Sequence, residues 1–125
     1  MRFMKLVSAT ILTVSMCTAA QAEEAHSHDF PQAVDDYHTA MSPAWHMPEG
    51  QERLDYTCEV SLTLVEKAQD VVDAFVKTTT ENLALDLLSS SKELFGGCEG
   101  KADVVEMDLI AVHDAFHKLI ESFKK

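Results

Sequence analysis

Apolar positions along this chain repeat with a helical period and almost nowhere alternate with period two. Phe30, Val34, Tyr37 and Met41 recur at steps of four, three and four, the spacing that gathers side chains on one face of an α-helix. Asp29 is the expected N-cap, with Pro31 in the first turn and Ser42-Pro43 as the stop. Two prolines and a glycine make 43–50 a connection. A second helix is expected from about Glu49 to Lys77, with Leu54, Cys58, Ser61, Val65, Ala68 and Val72 inward. Thr78-Thr79-Thr80 breaks that pattern. Glu81 to Phe95 forms a third stretch, apolar at Ala84, Leu87, Leu88, Leu94 and Phe95, and Gly96-Gly97 ends it. The fourth runs from Ala102 to Phe123, with Val105, Leu109, Val112, Phe116, Leu119 and Phe123 in register.

Four amphipathic helices with short connections place sequence neighbours antiparallel, so the expected fold is all-α, an up-and-down four-helix bundle. The cysteines agree with it. Cys58 lies 21 residues before Thr79 and Cys98 lies 19 after it. At about 1.5 Å per residue an antiparallel pair brings them level, as a disulfide requires. A structural Cys58–Cys98 bridge is therefore expected. A redox pair or soft metal ligands are the alternatives, although the spacing is unlike a C-x-x-C motif.

The N-terminal segment adds a compartment. Arg2 and Lys5 precede an apolar run, Leu6 to Met16, and Ala20-Gln21-Ala22 offers a small-x-small cleavage site. Residues 1–22 read as a signal peptide and 23–125 as the mature domain, periplasmic or secreted. Met16 stands where a lipoprotein box before Cys17 wants a small residue, which argues against lipidation. The run is too short to span a bilayer. Without Arg2 and Lys5, eight Lys and Arg face 21 Asp and Glu, a formal −13. A field of that sign repels nucleic acid and concentrates cations, so nucleic-acid binding is excluded.

Histidine is the unusual component. His26, His28, His38, His46, His113 and His117 cluster near the two ends, and none falls between Met47 and Val112. His113 and His117 stand at i, i+4, a spacing that lets two imidazoles reach one ion. With Val105 at zero and about 100° per residue, His113 and His117 fall near 80° and 120°, beside an apolar stripe centred near 0°. His38 falls at about 80° on the first helix, counted from Phe30. Like flanks of antiparallel neighbours face each other, so His38, His113 and His117 are expected to share the groove between the first and last helices.

His46 is a further candidate ligand, although a plain bundle sets it at the opposite end from His117. His26 and His28 are second-tier candidates, and Asp114 and Glu121 are candidate carboxylates. Met41 and Met47 would favour copper(I), and nitrogen or mixed nitrogen and oxygen sets would suit zinc, nickel, cobalt or copper(II). The quieter expectations are that Trp45 caps the core and that Met41, Met47 and Met107 pack. No nucleophile elbow, phosphate loop or H-E-x-x-H occurs, and no enzyme is expected.

With its export signal, helical pattern and His113/His117 pair, the chain resembles small periplasmic four-helix proteins that bind metals through helical histidine pairs. The sensor domains of nickel and cobalt resistance systems are one such group. The resemblance implies a metal carrier, buffer or sensor, with a periplasmic or membrane protein as a further partner. The chain is also similar in architecture to the b-type cytochrome bundles, in which Met41 and His117 would hold a non-covalent haem. A metal-independent interaction or chaperone-like module is the third reading.

Overall fold

The computed structural model describes residues 30–100 and 102–124. Residues 1–22, expected to be a signal peptide, and with them Cys17, lie outside the described residues, as do His26, His28 and Asp29. Four helices follow one another: α1 Gln32–His46, α2 Gln51–Ala74, α3 Glu81–Gly97 and α4 Ala102–Glu121. No strand occurs among the described residues, and none of these helices is long and apolar enough to cross a membrane.

Cross-helix contacts order the helices up, down, up, down. Phe30, just before α1, meets Phe123, just after α4, at a ring-centroid distance of 5.4 Å, and Trp45 at the far end of α1 meets His113 within α4. Those two helices therefore run antiparallel. The diagonal pair α2 and α4 runs parallel, since Arg53 pairs with Glu106 near both starts and Phe75 meets Phe123 near both ends. Cys58 and Cys98 form the expected disulfide, with 5.5 Å between their Cα atoms, and it ties α2 to the end of α3. Backbones pack closely between sequence neighbours, whereas α1 and α4 close the ring mostly through long side chains. That seam is the loosest of the bundle.

Local structure departs from the expected boundaries in instructive ways. The first helix begins at Gln32, with Pro31 at the N-cap position and no side-chain cap. It also does not stop at Pro43 but runs through it to His46. Proline in a helix interior removes the bond to the carbonyl four residues back and crowds it, at a cost of about 3 kcal/mol. Two features offset that cost. Pro43 faces solvent while Ala44 next to it is fully buried. Beyond it, the Arg53 guanidinium donates to the carbonyls of Trp45, at 3.4 Å, and Met47, at 3.0 Å. A cation on the last carbonyls of a helix satisfies open acceptors and suits the helix dipole. The connection shrinks to 47–50, and Gly50 turns it with φ +150° and ψ −175°, a region that only glycine enters easily.

On α2 the buried face is turned by one residue at its start. Arg53 and Thr57 are buried, while Leu54 and Cys58 are half-buried. The bridge draws Cys58 to the α3 flank, and Glu106 draws Arg53 inward. This helix ends at Ala74 rather than near Lys77, because Phe75 swings into the end of the core and Thr78 Oγ1 donates to its carbonyl at 2.7 Å.

In α3 the expected core residue Phe95 is 43 % exposed and Ser91 is buried in its place. Ser91 Oγ donates to the Leu87 carbonyl, so the Tyr37 hydroxyl, 2.7 Å away, must donate to Ser91. Burial pushes the Tyr37 phenol far above its ordinary range, so this donor keeps its proton. The expected stripe of α4 is buried from Val105 through Leu119, with Phe123 at its edge.

Candidate metal centre

The extension of α1 past Pro43 shapes the seam with α4. Carried on by one turn, the helix places His38, Met41, Ser42, Trp45 and His46 along the side that looks toward His113 and His117. Together these seven residues line one cavity of about 360 Å³. Every histidine among the described residues is in it. His46 reaches the cavity because it belongs to α1 itself, not to a loop that must climb back along the bundle.

Within the cavity the rings are ordered. The Trp45 indole and the His113 imidazole stack with centroids 3.7 Å apart and planes 9° from parallel. His117 follows one turn on, its centroid 4.4 Å from that of His113. His38 stacks on Phe116 at 5.6 Å, and Phe116 also stacks on Tyr37 at 5.7 Å. The Arg53 guanidinium lies over the indole, 4.9 Å from its centroid. His113 is half-buried, and His38, His46 and His117 are exposed. Trp45 thus supports a histidine instead of only covering the core, a role that its position after a proline concealed.

Burial holds the His113 imidazole below its ordinary value near 6.5, with His117, Arg53 and His46 pushing the same way and Asp114 opposing them. At neutral pH this ring therefore offers a free nitrogen, as a metal ligand must. The same shift carries a stability consequence. The unfolded chain takes up the proton near pH 6.5 while the folded ring resists it. The contribution of His113 is thus full above that pH and is lost as pH falls through the lowered folded value. Urea midpoints should drop between pH 7.5 and 5.5 by more in the native protein than in His113→Gln. An equal drop in both would assign the whole effect to other groups.

The fit to a metal ion is partial in an informative way. His113 and His117 have the spacing and closeness of a bidentate helical pair. Yet no group of three or more His, Cys, Asp or Glu that could hold an ion exists among the described residues. Neither proposed carboxylate helps: Asp114 lines a separate groove between α3 and α4, and Glu121 is exposed on α4 outside the cavity. Met47 is also outside it, and both remaining cysteines are consumed in the disulfide. Among the described residues, further ligands must come from the exposed rings of His38 and His46, or from the Met41 side chain that lines the same space. Arg53, the only arginine after residue 22, escaped the reading of the sequence. Its sole signal was a lone cation in the first turn of α2, between Glu52 and Leu54. No protein-family model, curated protein or solved structure matches this chain.

Proposed function

We propose that this is an exported protein that binds one transition-metal ion at the α1–α4 seam and serves as a carrier, buffer or sensor, without catalytic turnover. His113 and His117 supply the first two nitrogens, and His38 or His46 swings in from α1. The observation that carries the reading is convergence: residues far apart in sequence, and no other histidines of the described chain, share one cavity. Export rests on the pattern of residues 1–22 together with the disulfide. The acidic surface draws cations toward the protein at long range. A haem held between Met41 and His117 would have to displace the Tyr37–Phe116 and Trp45–His113 stacks, which favours a bare ion.

The test is a titration of zinc, copper, nickel and cobalt into untagged protein with its disulfide intact, beside His113→Ala, His117→Ala. One ion should bind with 1:1 stoichiometry and change the emission of Trp45, the only tryptophan. At about 100 times Kd it should stabilise the fold by about 2.7 kcal/mol. The double variant should lose both responses. Equal affinity in the two proteins defeats the proposal, and no metal-linked rise in melting would favour a metal-independent interaction module.

A further inference from the structure

We infer, on the basis of the metal-binding reading above, that the cavity is built for copper(I), with the Met41 thioether joining His113 and His117 as a ligand. The donor chemistry points there. Among the described residues the histidine pair lacks a third imidazole, carboxylate or thiolate in place, but Met41 lines the same cavity from the opposite helix. Its side chain is 2 % exposed, so its sulfur is held by packing rather than free in solvent. A thioether with imidazoles is a soft, neutral set, and soft donors select copper(I) over zinc, nickel or cobalt.

Charge points the same way. Among the described residues the cavity lining holds no carboxylate; Ser42 and Trp45 complete it with a hydroxyl and an indole. Partial desolvation costs a dication roughly four times as much as a monocation, because the cost grows with the square of the charge. Without an anionic ligand among those lining residues to offset that cost, the monocation is favoured. The Trp45–His113 stack presets one ligand and shields that side of the ion from water.

The experiment supplies copper(I) under argon with ascorbate, in competition with a chromophoric chelator. Thiol reductants are avoided because they would free Cys58 and Cys98 as rival ligands. Zinc is titrated in parallel. Met41→Leu is close to volume-conserving and leaves the core packed. It should weaken copper(I) binding by about tenfold or more, with zinc binding unchanged. X-ray absorption of the copper(I)-loaded native protein should show a sulfur neighbour, which decides the matter even where the variant is less stable. A nitrogen-only shell, or equal copper(I) affinity in Met41→Leu, overturns the inference. In that event zinc or copper binding that still fails in His113→Ala, His117→Ala leaves the broader metal reading standing. Native-like binding of every ion by that double variant removes both.

Discussion

Replacing Cys58 and Cys98 together by serine should lower the stability of the protein by about 4 kcal/mol, the loop-entropy value for a bridge of this span. The bridge joins residues 40 apart, so its loss lets the unfolded chain explore many more conformations. It also spans two helices that already pack along their length, so the folded state should survive with its helix content intact. In a domain of about 100 residues such a loss removes much of a total stability of about 5–15 kcal/mol. Each kcal/mol lowers the melting temperature by roughly 4–8 °C. Urea denaturation of the serine variant beside the oxidised native protein measures the effect. A difference below about 1 kcal/mol would mean that the unfolded chain is already held compact by other contacts.

Arg53→Met should cost about 3 kcal/mol. The side chain of Arg53 is 7 % exposed, and it meets Glu106, whose side chain is 24 % exposed, at 3.0 Å. Removing one member of a buried pair typically costs about 3–5 kcal/mol, and the partial exposure of Glu106 places this case at the low end. Methionine fills the volume, but it leaves Glu106 without its cation and the Trp45 and Met47 carbonyls without a donor. The turn after Pro43 should then fray. Because that turn carries Trp45 and His46, the variant should shift Trp45 emission toward that of an exposed indole and weaken metal binding. Adding Glu106→Gln should restore part of the stability by removing the orphaned charge, without restoring the cavity. A loss below about 0.5 kcal/mol in Arg53→Met would show that solvent screens the pair.

The disulfide braces α2 against α3 and the ion pair braces α2 against α4, while among the described residues α1 has neither a covalent tie nor an ion pair to α4. An ion shared across the α1–α4 seam would supply that tie. The proposed function and the construction of the bundle thus meet at the same two helices.

Much of this was readable from residue spacing. The four helices, their order and the pairing of Cys58 with Cys98 follow from apolar period and loop length, because burial of one face per helix leaves few ways to stack four short-linked rods. The flank shared by His38, His113 and His117 was legible for the same reason: helical phase is local arithmetic. The tertiary structure alone decided the rest. Pro43 reads as a stop from local propensity, yet Arg53, on the next helix, holds the turn beyond it and so delivers Trp45 and His46 to the cavity. Ser91 replaces Phe95 in the core because Tyr37 on another helix offers it a hydroxyl. Spacing encodes which face a residue takes. It does not encode which distant polar group will meet it there, and that pairing sets where this bundle keeps its histidines.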